Sequence, residues 1–136
     1  MEQICSESLL KRIILEDPVR PRISAKDRVA PAREVYHLKN KAYICLAYLN
    51  EVPYDESSLL NIQCGQIAVA YTIWASEKGR GRDLILKVRD MISETDRFSR
   101  LVTLSPKTDM AMKFHMSNGA RLICENTNTN NFEYGI

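Results

Sequence analysis

The sequence lacks the features that usually identify a membrane, secreted or nucleic-acid-binding protein. No apolar run approaches the roughly 20 residues that a membrane-spanning helix requires. Residues 1–7 have neither the basic nor the apolar region of a signal peptide. The formal net charge is only +2, which argues against a general nucleic-acid binder and leaves room only for a local basic patch. We therefore expect a cytoplasmic protein that is folded as one domain over residues 1–136.

Cysteine is scarce, and its spacing excludes the common metal and redox motifs. The four cysteines are Cys5, Cys45, Cys64 and Cys124. None of them forms a C-x-x-C pair. The sequence therefore predicts free, buried thiols in a reducing compartment rather than disulfides or metal ligands.

Glycine is also scarce, with five in the chain, so two glycines close together are informative. Gly79 and Gly81 separate an apolar segment, Gln66–Trp74, from an amphipathic one, Asp83–Ile92. The first segment predicts a strand covered on both faces, and the second predicts a helix. A helix entered through glycines presents free N–H groups to an anion, and the loop adds three cations: Lys78, Arg80 and Arg82. The pattern favours a phosphorylated ligand over an ordinary turn.

The rest of the chain predicts further strands and helices. In the first half we expect a helix over Ser6–Leu15 and an irregular solvated loop over Glu16–Arg33. We then expect a hairpin formed by Glu34–Leu38 and Ala42–Leu49, followed by a polar loop over Asn50–Asn61. In the second half we expect a buried strand over Arg100–Leu104 and a helix over Pro106–Asn118. Two terminal strands, Ala120–Cys124 and Phe132–Tyr134, are expected to follow. Ser105 is interpreted as the N-cap of that second helix, and Gly119 as the residue that ends it.

The second half resembles the GCN5-related N-acetyltransferase (GNAT) superfamily. In that family a loop of pattern Q/R-x-x-G-x-G/A follows the fourth strand, and Ser76–Gly81 matches both of its glycines but not its first position. A later family helix has the pattern A-x-x-x-Y-x-x-x-G-F. Here Ala111–Ala120 matches the alanine and the glycine, His115 stands at the tyrosine, and Ala120 replaces the phenylalanine. The resemblance covers Gln66 to Tyr134, and the family's first strand is not evident.

The resemblance implies an α/β fold with a GNAT-like mixed central sheet, in which helices flank a parallel pair of strands. It also implies acyl-CoA, most simply acetyl-CoA, as cosubstrate, with no metal, and an acyl transfer to a small-molecule or peptide amine. The residues expected to bind the cosubstrate are Ile73, Trp74, Lys78, Gly79, Arg80, Gly81 and Arg82.

Three residues are candidates for proton transfer. His115 occupies the position of the family's tyrosine, and a near-neutral pKa would let it protonate the leaving thiolate. Its other interpretation is a structural residue at the edge of the apolar helix face. Glu51 and Tyr71 are candidate bases. Their alternatives are a solvated loop residue and a core residue, respectively.

Two other interpretations of the whole chain stay open. A binding or regulatory domain could keep this fold without the chemistry. A nucleic-acid binder is not expected, because the charge is balanced and no basic surface is interleaved with aromatic residues. Met112 and Met116 fall away from the apolar helix face, which is compatible with a contact to a second subunit.

Overall fold

A computed structural model describes all 136 residues and contains one sheet flanked by helices. The strands are β1 (Glu2–Ile4), β2 (Arg33–Leu38), β3 (Ala42–Leu49), β4 (Ile67–Ala75), β5 (Arg100–Thr103), β6 (Ser105–Pro106), β7 (Arg121–Glu125) and β8 (Thr129–Tyr134). The helices are α1 (Glu7–Ile13), α2 (Ala25–Arg28), α3 (Glu56–Asn61), α4 (Arg80–Ser93) and α5 (Asp109–Ser117), and a 3-10 turn spans Ile14–Glu16. None of these helices combines the length and the apolar character needed to cross a membrane.

The sheet is mixed and has a single parallel pair. Its strand order is β1-β2-β3-β4-β5-β8-β6, and β7 also pairs with β8, antiparallel to it. Only β4 and β5 run parallel, with a register from Ile67 opposite Arg100 to Ala70 opposite Thr103. The connection between them is α4, as a crossover of parallel strands requires. The predicted mixed sheet with a parallel pair flanked by helices is confirmed.

Two apolar cores cover the two faces of the sheet. On one face α1 and the loop that contains α2 pack against alternate residues of β3 and β4, including Cys45 and Val69. On the other face α4 contributes Leu84, Ile85, Val88 and Ile92. Because β4 is covered on both sides, nearly all of its residues are apolar, which is the pattern that predicted a central strand.

A bulge interrupts the alternation of β4 at Tyr71. Cys45 and Leu46 are neighbours on β3, but they lie opposite Thr72 and Ala70, which leaves Tyr71 as the extra residue. Val69, Tyr71 and Trp74 belong to the same core, although strict alternation from Tyr71 would put Trp74 on the opposite face. The bulge therefore re-aims the end of β4 relative to its start.

Several sequence predictions require correction. The loop Glu16–Arg33 is not solvated throughout, because it contains α2 and buries the side chains of Asp17, Arg20 and Arg28. A first strand exists as β1, a three-residue edge strand that pairs with β2 and is too short to show periodicity. Cysteines are free, as predicted, but only Cys45 is buried.

The start of the last helix is also different. Ser105 does not cap it: Ser105 and Pro106 form β6 and pair with β8, and the Ser105 hydroxyl donates to Thr103 Oγ1 at 2.8 Å. The cap is Thr108, whose hydroxyl accepts the N–H of Ala111. Gly119 ends the helix as predicted, with a left-handed φ of 94°.

Candidate functional site

The parallel pair separates at its carboxyl end and opens a cleft. The last interstrand hydrogen bond runs from the N–H of Leu104 to the carbonyl of Ala70, at 3.0 Å. Beyond it β4 continues to Ala75, whereas the chain after Leu104 turns away to pair with β8. On the side away from β3, the segment of β4 from Tyr71 to Ala75 therefore has no strand beside it.

A cavity of about 310 Å³ fills this gap between β4, β6 and α5. Its wall is mainly apolar and includes Ile73, Trp74, Leu104 and Phe114. The residues that bring polar side-chain groups to the lining are Tyr71, Thr72, Trp74, Ser105, Thr108 and His115. The lining contains no carboxylate and no cationic side chain, so the cavity suits an uncharged, extended ligand arm.

A second, polar cavity of about 410 Å³ continues the first toward the start of α4. The two share Ala75, Gly81 and Phe114, so they adjoin each other, and we refer to the pair of cavities as the groove. Gly79 is the N-cap of α4 and has a left-handed φ of 85°, which explains glycine at this position. The backbone N–H groups of Gly81 and Arg82 have no acceptor within the protein. They are the donors that a helix N-terminus offers to an anion.

The positive charge of this loop is partly neutralised by its neighbours. Arg80 pairs with Glu77 at 3.3 Å and lies 3.8 Å from Asp83, and it lines neither cavity. Arg82 donates to Asn118 Oδ1 at 3.3 Å, which links α4 to the end of α5. Lys78 has no ion pair and lines the polar cavity. Lys78 is therefore the most available cation of the three that the sequence singled out.

His115 lines the inner cavity but is only 5% exposed. Its Nδ1 lies 2.7 Å from the hydroxyl oxygen of Tyr134, and its ring stacks on Phe132 with centroids 5.1 Å apart. Burial lowers the pKa of His115 from its ordinary value of 6.5 to about 4. The expectation of a near-neutral pKa is therefore wrong, and the imidazole is uncharged at neutral pH.

Only one of the two candidate bases, Tyr71, shares the inner cavity with His115. Glu51 is exposed and lies in a separate polar depression beside Tyr54 and Asp55, outside the inner cavity. Tyr71 does line the inner cavity, but it is 1% exposed and burial raises its pKa well above the usual value. A phenol that stays protonated at neutral pH does not accept a proton from an amine. Its burial and raised pKa favour Tyr71 as a residue of the cavity wall rather than as a base.

Sequence reasoning missed a buried polar network next to the cleft. Arg28 donates to Asp17 Oδ2 at 2.7 Å, and both side chains are fully buried. Arg20 donates to the carbonyls of Tyr71 and Leu104. No periodic pattern marks these residues, because they lie in an irregular loop whose charges and prolines are typical of a solvated segment.

Comparison with known proteins supports the architecture. No protein-family model matches the sequence, and no curated protein matches it. Solved structures do match. The GNAT domain of PAT from S. lividans superposes with a TM-score of 0.66 over 98% of this chain and 88% of its own, at 14% identity. An acetyltransferase from Bacillus subtilis, solved in complex with CoA, gives a TM-score of 0.66 at 12% identity, covering 99% and 97%. The chain has the GNAT fold.

A second group of similar structures has a different activity. Malonyl-CoA decarboxylase from Agrobacterium vitis matches 77% of this chain with a TM-score of 0.62 and 22% identity. The match covers 32% of the decarboxylase, so this chain corresponds to about a third of that protein. At this identity the match shows a shared GNAT fold and no more.

Proposed function

We propose that the chain is an acyl-CoA-dependent N-acyltransferase, which transfers an acyl group, most simply acetyl, directly from the thioester to an amine. The observation that carries the proposal is the groove, in which an apolar cavity between β4 and β6 adjoins a polar cavity at the start of α4. One end is an apolar cavity of about 310 Å³, and the other is the unpaired N–H groups at the start of α4. This is the shape and polarity of a ligand with an extended neutral arm and a diphosphate. The CoA complex of the B. subtilis acetyltransferase on the same fold supports the assignment.

In this proposal the residues of the expected site that line the groove act at different parts of the ligand. The N–H groups of Gly81 and Arg82 would hold the diphosphate, with Lys78 as a mobile counter-charge. Ile73 and Trp74 lie where β4 is paired with β3 on one side and has no strand on the other. A pantetheine arm contains amides, so it can pair with this edge as a strand would. The arm would then bring the thioester to the inner cavity beside His115.

Transfer needs no covalent enzyme intermediate. The amine nitrogen bonds to the thioester carbonyl carbon, the C–S bond breaks, the sulfur takes a proton and the nitrogen loses one. The protein contributes by holding the two reactants together and by polarising the carbonyl. His115 contributes as a neutral hydrogen-bonding group, since its pKa of about 4 removes the imidazolium form at neutral pH.

A second candidate reaction is decarboxylation of a malonyl-type thioester. One observation favours it: the inner cavity has no carboxylate, and its one imidazole, that of His115, has a pKa of about 4 and is a weak base for an ammonium group. Decarboxylation needs no acceptor. The C–C bond electrons pass to the thioester, CO₂ leaves, and the resulting enolate is protonated at carbon. A wall that is mainly apolar disfavours the carboxylate, and nearby hydroxyls can stabilise the enolate oxygen. The malonyl-CoA decarboxylase from Agrobacterium vitis shows that this fold occurs within a protein of that name.

One set of assays separates the candidates from a binding domain that lacks chemistry. The purified chain is incubated with acetyl-CoA and a panel of polyamines, aminoglycosides and peptides with free N-termini, and free thiol is measured with and without amine. Malonyl-CoA is incubated alone, and acetyl-CoA and CO₂ are measured. Amine-dependent thiol release supports the transferase. Acetyl-CoA formed without thiol release supports the decarboxylase. CoA binding without either product supports the binding domain.

A further inference from the structure

Arg20 lies between the two strands at the point where they separate. Its Nε donates to the carbonyl of Tyr71 on β4 at 3.2 Å. Its Nη2 donates to the carbonyl of Leu104, just after β5, at 2.9 Å. The interstrand ladder ends one step earlier, at Ala70 and Leu104. The guanidinium therefore takes the place of the next hydrogen bonds of the ladder.

This position has a consequence for the width of the cleft. Two diverging strands leave buried carbonyls without donors, and such groups favour any movement that pairs them again. A guanidinium carries its N–H donors in a rigid planar fork. It can donate to one carbonyl on each of two strands that are too far apart for a direct backbone hydrogen bond between them. An ammonium is a point donor and lacks this geometry.

The backbone of Arg20 is itself held in place. Asp17 Oδ1 accepts the N–H of Arg20 at 3.1 Å and the hydroxyl of Thr72 at 2.9 Å, so the same carboxylate contacts the loop and β4. Arg28 donates to the carbonyl of Arg20 at 2.6 Å and to Asp17 at 2.7 Å. The network anchors the loop to β4 from the side opposite α4.

We propose that Arg20 is a positioning residue that fixes the width of the acyl-CoA cleft, an inference that rests on the proposed function. Pro18 and Val19, which precede it directly, line the inner cavity. The guanidinium is thus next to the part of the groove that would receive the acyl end of the ligand. Neither Arg20 nor the two residues before it line the polar cavity at the glycine loop, which would receive the diphosphate. Loss of Arg20 should therefore affect one end of the ligand and spare the other.

The chain offers a matched control. Glu56 pairs with Arg20 at 3.3 Å and with Arg22 at 3.0 Å. The Arg22 side chain is 75% exposed and does not bond to either strand. Arg22→Met therefore removes the same charge from the same carboxylate without touching the cleft. Arg20→Met removes both carbonyl bonds, and Arg20→Lys keeps the charge but loses the bridge.

The experiment measures three quantities in each variant. They are the affinity for CoA, the affinity for adenosine 3′,5′-diphosphate, which lacks the pantetheine arm, and acrylamide quenching of Trp74 without ligand. Trp74 is the single tryptophan of the chain and lines the inner cavity. In both Arg20 variants we expect CoA to bind at least ten times more weakly and the nucleotide to bind within about twofold of wild type. We expect reduced quenching of Trp74 as the cleft narrows. Arg22→Met should match wild type in all three.

Several results would overturn the inference. Unchanged CoA affinity in both Arg20 variants contradicts it, as does an equal loss for CoA and nucleotide. Unchanged Trp74 quenching contradicts it without reference to any ligand. Failure of both Arg20 variants to fold, judged by far-UV circular dichroism, with Arg22→Met folded, assigns Arg20 to folding instead. If wild type binds neither ligand, the proposed function fails, and the quenching experiment still tests the role of Arg20.

Discussion

The Nδ1 atom of His115 lies 2.7 Å from the hydroxyl oxygen of Tyr134, and both side chains are buried. The pair joins α5 to β8 beneath the inner cavity. Either Nδ1 or the hydroxyl can be the donor, depending on the tautomer of the imidazole, so the bond is compatible with both neutral tautomers. Burial is the reason that the pKa falls to about 4.

This burial predicts a pH-dependent stability. Unfolding returns the pKa of His115 to about 6.5, so between about pH 4 and 6.5 the unfolded state binds more protons than the folded state. The free energy of unfolding should therefore fall as the pH falls through this window, by about 3 kcal/mol in total from this group. Urea denaturation at pH 7.5 and pH 4.5 measures it. His115→Gln should remove this part of the pH dependence, whereas His37→Gln, at the half-buried second histidine, should retain it.

His115 should also affect turnover more than binding. Its removal takes a hydrogen-bonding group from the reacting end of the groove, so His115→Ala should lower kcat by about 10²-fold, the lower end of the usual range for proton-transfer groups. CoA affinity should change less than about threefold, and His115→Tyr should recover part of the activity. Because the imidazole is neutral, kcat should show no inflection near pH 6.5 that disappears in the variant. An inflection of that kind would restore the imidazolium acid that the structure argues against.

The buried ion pair of the loop should be important for stability. Asp17→Asn keeps the shape of the side chain but leaves the charge of Arg28 buried without a counter-charge. Breaking such a pair typically lowers the free energy of unfolding by about 3–5 kcal/mol. The exposed pair Glu7–Lys11 is the control, and Glu7→Gln should change stability by less than about 0.5 kcal/mol. Urea denaturation at pH 7.5 compares the two. Equal effects would show that the loop is not anchored as described.

The sequence predicted the parts of the fold in which periodicity and burial agree. The central strand Ile67–Ala75 and the helix after it were identified correctly, because one is apolar throughout and the other has one apolar face. The bulge at Tyr71 is not visible in this apolar sequence. A residue that moves from one face of the strand to the other is replaced by another apolar residue, so the hydrophobic pattern does not change. The ion pair of Asp17 with Arg28 joins two positions of an irregular loop, and no local pattern encodes that contact.

In the candidate site, too, the features that depend on local sequence were predicted, and those that depend on tertiary packing were not. The glycines were predicted because a left-handed φ at Gly79 and a free helix start depend on local sequence. Glu51 lies outside the inner cavity and His115 is neutral, because position and pKa depend on tertiary packing. Ser105 was interpreted as a cap on the strength of the following proline, but its neighbour in space is Thr103.

The two glycines of the loop should respond oppositely to alanine. At Gly79 the left-handed φ of 85° strains any side chain, so Gly79→Ala should destabilise by about 1 kcal/mol. At Gly81 a Cβ would meet Phe114 at an ordinary contact distance of 3.5 Å. Gly81→Ala should therefore be tolerated, and the higher helix propensity of alanine should add up to about 0.5 kcal/mol. Thermal or urea unfolding of both variants measures these changes in stability. A loss of stability in Gly81→Ala as large as that in Gly79→Ala would contradict the prediction.

The most direct test of the acyl-CoA site is CoA binding to the wild-type chain, measured by the change in its melting temperature. At 100 times its dissociation constant, CoA should stabilise the protein by about 2.7 kcal/mol and raise the melting temperature. Gly81→Val should abolish the shift, because a branched side chain at the start of α4 blocks the approach of the diphosphate to the free N–H groups. Gly135→Val, at a glycine with open space around it, should keep the full shift. No shift in wild type, or an equal shift in wild type and Gly81→Val, would contradict the acyl-CoA site.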